Sequence, residues 1–219
     1  MNASPQTIFI TGGTGYLGRE LIPLLLRGGH RVRALVRSGS ESKLPSGCEV
    51  VAGDVLRAAT FAGKVSPADT VIQLVGVPHP NPSKAKQFRE IDLVSVRESV
   101  AAASAAKVQH FIYLSVAQPA PIMREYIAVR AEGEEMIRAS GMNGTFIRPF
   151  YVLGPGHWWP YFILPIFWCF EMIPSKRDAA RRLKPVTLAQ TLAALVRAVN
   201  QPASGIRIVE AEEMRRVQP

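Results

Sequence analysis

The sequence predicts an α/β fold in which a doubly wound, mainly parallel sheet is flanked by helices. Three observations lead there. Short β-branched and aromatic runs recur along the chain, helix-length apolar segments separate them, and the first run ends in a cluster of glycines that opens a helix. Parallel strands need a crossover of a dozen or more residues between them, which those segments supply. With 219 residues, 47% of them hydrophobic, the chain can bury one sizeable core but is too short for two domains of ordinary size, so residues 1–219 are read as one domain.

Taken in order, Thr7–Ile10 reads as a buried strand ending in glycines, and Tyr16–Arg27 as a helix whose Leu17, Leu21, Leu24 and Leu25 fall at helical spacing before the stop at Gly28-Gly29. Further strands are expected at Val32–Val36, Glu49–Ala52, Thr70–Leu74, His110–Leu114, Thr145–Ile147 and Arg207–Val209. Ala-rich helices are expected at Ala85–Lys107, Tyr126–Ser140 and Leu188–Val199. One stretch breaks the rhythm: the aromatic and aliphatic run Trp158–Phe170, interrupted by Pro160 and Pro165 and followed by the basic stretch Lys176–Lys184. It is too short and Pro-broken to span a bilayer, and residues 150–184 are read as an aromatic-rich insertion on the substrate side.

Two cysteines, Cys48 and Cys169, lie far apart without metal or redox spacing, which implies free thiols in a reducing compartment. The first residues carry no basic segment followed by an apolar run, so a cytoplasmic location is expected. Four histidines, His30, His79, His110 and His157, show no metal-ligand spacing, and no metal site is expected. The net charge of +9 suits an anionic ligand or partner.

That ligand is indicated by the loop after the first strand. In Thr11-Gly12-Gly13-Thr14-Gly15-Tyr16-Leu17-Gly18, the glycines satisfy both GxxGxxG and GxGxxG at the opening of a helix. Glycine allows the sharp turn and the close approach of backbone to a pyrophosphate, and the N–H groups at the helix start then hold the anion. This is the fingerprint of a dinucleotide-binding, Rossmann-type βα unit. NAD sites normally carry an acidic residue at the end of the second strand, on the ribose 2′-hydroxyl. Here Arg37 follows Val36, which favours a 2′-phosphate and therefore NADP(H) over NAD. Ser38 is a second candidate for that phosphate. Arg33 lies on the same strand face but four residues further from the ligand end.

Together, TGGTGYLG, Gly53-Asp54-Val55, Leu74-Val75-Gly76, Tyr113-Leu114-Ser115 and Arg148-Pro149 resemble the extended and atypical short-chain dehydrogenase/reductases, with the epimerase/dehydratase-like enzymes among them. The resemblance runs from Thr7 to Pro149 and more weakly through Val152-Leu153-Gly154-Pro155-Gly156. It implies that Asp54 and Val55 border the adenine, that Gly76 passes close to the ribose and phosphates, that Ser115 lies near the nicotinamide, and that Pro149 belongs to the cofactor site. For Asp54 a helix N-cap is an equally good reading.

The resemblance also implies catalysis by a Ser and by a Tyr four residues before a Lys. Tyr126 and Arg130 stand in that place, with Ser115 eleven positions before Tyr126. The i,i+4 spacing puts Tyr126 and Arg130 on one helix face, where a cation favours the phenolate. Arg130 could hold ribose hydroxyls, but arginine does not titrate usefully and cannot join a proton relay as an amine can. Asp92 stands where related enzymes carry Asn, and an ionised Asp accepts but does not donate.

Phe150, Tyr151 and the Trp158–Phe170 run are expected to line an apolar pocket for a small, hydrophobic carbonyl or alcohol. Core packing, a dimer contact, or attachment to a membrane surface through the neighbouring Lys176, Arg177, Arg181 and Arg182 are the other readings. No nucleic-acid-reading motif is present, and no nucleic-acid partner is expected. Two functions follow: an NADP-dependent oxidoreductase, or a non-catalytic NADP(H)-binding protein acting as redox sensor or structural partner.

Overall fold

A computed structural model of the chain describes residues 4–120, 122–155 and 164–216. Seven parallel strands form one sheet in the order β3-β2-β1-β4-β5-β6-β9. They are β1 (Thr7–Thr11), β2 (Arg31–Val36), β3 (Glu49–Ala52), β4 (Thr70–Gln73), β5 (His110–Leu114), β6 (Asn143–Arg148) and β9 (Ile206–Glu210). Each overlaps an expected strand. A small parallel pair, β7 (Val152–Leu153) with β8 (Val186–Thr187), was not foreseen.

The period-two alternation of the strands divides the core. On one face Ile8, Ile10, Ala34, Ile72, Ile112 and Ile147 pack beneath α1 (Tyr16–Arg27) and α7 (Leu188–Asn200), with Ala211 and Met214 of α8 (Ala211–Arg216). On the other, Phe9, Val71, Phe111, Tyr113 and Phe146 pack against α3 (Val94–Ala105) and Ile137 of α4 (Arg124–Ala139). Apolar runs buried on both faces are what a parallel sheet requires. Arg33 is the exception in β2: its guanidinium donates to Glu49 Oε1 at 2.7 Å and to the carbonyls of Lys64 and Ser66 at 2.8 Å each, so this arginine fastens β2 to β3 and the following loop.

The expected helix Ala85–Lys107 is helical through Ala105 but not uniform. A short α2 (Ala85–Gln87) passes into a π-helical turn, Phe88–Leu93, before α3 begins. Beyond β7, α5 (Leu164–Met172) and α6 (Arg177–Leu183) occupy the described part of the expected insertion. Gly156, His157, Trp158 and the rest of the run up to residue 163 lie outside the described residues. Among the described residues, no helix is long and apolar enough to cross a membrane.

Candidate functional site

The chain turns sharply between β1 and α1. Gly12 has φ +77°, and a Cβ there would stand 3.0 Å from the backbone of Leu74 and Val75 where β4 ends, so only glycine passes. Gly18, in the first turn of α1, rests on the loop, since its Cβ would fall 2.6 Å from Gly13 Cα. At Gly15 a Cβ would meet only Gly12 O, at 3.1 Å, and would otherwise project into open space. Gly15 caps α1 without a side-chain hydrogen bond, and the first turn holds no acidic residue. The helix therefore presents N–H groups that have no intrahelical acceptor, and the positive end of its dipole, beside a cradle that a side chain would fill. Those features fit the pyrophosphate of a dinucleotide.

The cradle opens into a cleft of about 400 Å³ at the C-terminal ends of β1 to β4. Of the expected cofactor residues, Gly12, Thr14, Gly15, Arg37, Asp54, Val55 and Gly76 line it. The Arg37 side chain is exposed at the end of β2, without a hydrogen-bond or ion-pair partner among the described residues. Asp54 closes a local turn, its Oδ1 accepting from Leu56 N at 3.0 Å, rather than capping a helix.

Other expected residues serve the cradle from behind. Leu17 is in the core, and Gly13 is packed against Ile22, Ala34 and Leu44. Tyr16 sits against Gly154, where a side chain would collide with the phenol ring. Pro149 is buried and its carbonyl accepts from Ala117 N at 3.0 Å. Ser40, Gln87 and Ile91 also line the cleft and were not foreseen. The only signal for the latter two is their i,i+4 spacing on the segment after β4.

Arg130 lies beneath the cleft floor rather than on it. Its side chain is 3% exposed and donates to Asp92 Oδ1 at 2.6 Å and to Leu114 O at 3.0 Å, with its guanidinium 5.1 Å from the Tyr126 ring centre and 5.6 Å from that of Tyr113. A Cβ on Gly76 would overlap that guanidinium, so the glycine lets the chain pass over the ion pair. Asp92 is fully buried in the π-helical turn and also accepts from Val77 N at 3.0 Å. Burial pushes its carboxyl up, against the pull of Arg130 and the Val77 N–H. Burial also pushes the Tyr113 phenol up to about 12, and Arg130 offsets only part of this.

Tyr126 is half-buried, edge-on to Phe88 with ring centres 5.0 Å apart. Ser115, 3% exposed, donates its hydroxyl proton to Glu134 Oε1 at 2.5 Å. Glu134 is itself buried, paired with Arg148 and accepting from Gln118 at 3.1 Å. Arg148 reaches on to Glu210 at 3.1 Å. This network was missed, although Tyr126, Arg130 and Glu134 follow one another at i,i+4 down one face of α4. His110 starts β5 as expected, bonded to Thr145 at 2.8 Å, and burial lowers its pKa to about 4.

A family model described as NAD(P)H-binding matches residues 12–157, from the glycine cradle past β7. The chain belongs to the NAD(P)H-binding family. Among curated relatives, it is 30% identical over 154 residues to a ceramide reductase of Caulobacter vibrioides, covering 68% of this chain and 47% of that protein. It is 24% identical over 168 residues to a 4-hydroxy-2-methyl-3-oxo-4-farnesyl-3,4-dihydroquinoline-1-oxide ketoreductase of Stigmatella aurantiaca, covering 67% and 50%. The chain thus spans about half the length of these relatives. Among solved structures, the enzyme WbmH of Bordetella bronchiseptica in complex with NAD+ superimposes with a TM-score of 0.68 at 21% identity, covering 94% of this chain and 75% of that one. At that identity the likeness shows the fold, a Rossmann-type parallel sheet flanked by helices.

Proposed function

We propose that the protein is an NADP(H)-dependent oxidoreductase acting on a small, apolar carbonyl or alcohol. The observation that carries the choice of cofactor is Arg37, exposed at the adenosine end of the cleft with its guanidinium uncommitted and no carboxylate in its place at the end of β2. A planar, charged donor fork suits a 2′-phosphate, whereas an acid would suit a 2′-hydroxyl. The bound nicotinamide would supply or accept the hydride. The ceramide and farnesyl-quinoline named for two relatives support an apolar substrate.

In this reading Tyr126 carries the proton at its phenol oxygen, and Arg130, held by Asp92, fixes the ring with its guanidinium 5.1 Å from the ring centre. Arg130 is then a positioning residue and not a ribose clamp. Ser115, its proton committed to Glu134, is in this reading a positioning residue beneath the site, like Arg130. One observation favours a second reading, a non-catalytic NADP(H)-binding protein: the burial of both Arg130 and Ser115 away from the cleft lining.

Tyr126→Phe separates the two. For the enzyme, oxidation of NADPH with hydrophobic aldehydes and ketones falls by roughly a hundredfold or more while NADPH affinity is unchanged. Tight NADPH binding by a wild type that turns over none of these substrates establishes the non-catalytic reading instead.

A further inference from the structure

The end of α5 and the turn after it present an apolar surface that nothing in the described structure covers. Met172 is 79% exposed, Ile173 40% and Phe170 39%, with Cys169 also exposed beside them. Burial of these side chains against the domain would remove apolar surface from water, yet three large ones in four consecutive positions face outward. Across Leu164–Met172 the helix carries a single charged residue, Glu171, and that carboxylate is taken up by Lys184 Nζ at 3.0 Å.

Directly after this surface comes positive charge. Lys176, Arg177 and Arg181 are exposed, against one exposed acid, Asp178, in the same segment. Lys176 Nζ stands 4.9 Å from the centre of the Phe170 ring, so a cation stands directly against one of the apolar side chains. Long basic side chains that lie on apolar surface and carry their charge to its edge suit the boundary between acyl chains and headgroups.

We propose that Phe170, Met172 and Ile173, with Lys176, Arg177 and Arg181, form a docking surface for an anionic lipid bilayer, on which the protein lies without spanning it. The charge sign selects the occupant. Anionic headgroups satisfy three cations that, among the described residues, form no ion pair and outnumber the single exposed acid Asp178, while the acyl boundary takes the three apolar side chains. Each basic residue near such a surface contributes about a factor of five in affinity, so the three together give roughly a hundredfold preference for anionic over zwitterionic membranes. The inference is independent of whether the cleft binds NADP(H).

Co-sedimentation of the full chain with vesicles of phosphatidylcholine alone, or of phosphatidylcholine with phosphatidylglycerol, tests it. The protein is expected to sediment with the anionic vesicles only. High salt should release it, and either Met172→Glu/Ile173→Glu or Lys176→Glu/Arg177→Glu/Arg181→Glu should abolish binding without changing the thermal melting curve. All these positions are exposed, and the salt response of the wild type gives a reading that needs no variant. Absence of binding, or binding insensitive to both variants, overturns the proposal. So does a concentration-dependent dimer, seen by light scattering and dispersed by Met172→Glu, since the face would then belong to a second copy of the chain.

Discussion

At Gly15 a single methyl group separates an open phosphate cradle from a blocked one. The backbone there, φ −78° and ψ 178°, is extended and accepts alanine, and the only close neighbour of the new Cβ is Gly12 O at 3.1 Å. Gly15→Ala should therefore leave the melting temperature nearly unchanged and weaken NADPH binding tenfold or more, about 1.4 kcal/mol, as read by calorimetric titration beside a thermal melt. Asp92→Ala should behave oppositely. It strands the Arg130 guanidinium in a dry site, and the cost in urea unfolding is expected at about 3–5 kcal/mol. His110 is held neutral, near pKa 4 against 6.5 when unfolded. Its contribution is therefore complete above pH 6.5 and is lost as pH falls toward 4, by about 2 kcal/mol between pH 7 and 5. His110→Gln should flatten that part of the stability profile. The glycines and Arg37 were legible because a motif at a strand end states its own geometry. Glu134 was not, because a glutamate on an amphipathic helix reads as solvated until Arg148 is brought beneath it by β6.

At the scale of the element, strands declared themselves through β-branched runs and α1 through its leucine spacing. The π-helical turn at Phe88–Leu93 did not, since one extra residue per turn leaves composition unchanged. It matters because it lies where Asp92 enters the interior to meet both Val77 N and Arg130. The β7/β8 pair, two residues per strand, is too short for alternation to register. It places Thr187 at the start of α7, where its hydroxyl accepts from Gln190 N at 3.1 Å and the Gln190 side chain accepts from Thr187 N at 2.9 Å. Loss of that reciprocal cap in Thr187→Ala should cost about 1 kcal/mol, measured as a lowered urea midpoint with an unchanged slope.

Across the whole molecule, the strand order β3-β2-β1-β4-β5-β6-β9 reverses direction between β1 and β4, and the cleft opens at that switch point, where adjacent crossovers leave the sheet on opposite faces. The glycine cradle, the Arg37 side chain and the Gly76 passage over Arg130 meet there because three different βα loops end at one edge of the sheet. That convergence follows from topology and is what the alternating sequence pattern foretold. The depth of Arg130 and Ser115 beneath it is set by α4 packing and was not foretold. Calorimetric titration of NADPH and NADH against the wild type and Arg37→Ala tests the cofactor site most directly. A preference for NADPH that shrinks tenfold or more in the variant, about 1.4 kcal/mol, is the predicted result. Equal affinity of the two proteins for both dinucleotides would contradict the role of Arg37, and no binding of either dinucleotide would contradict the site itself.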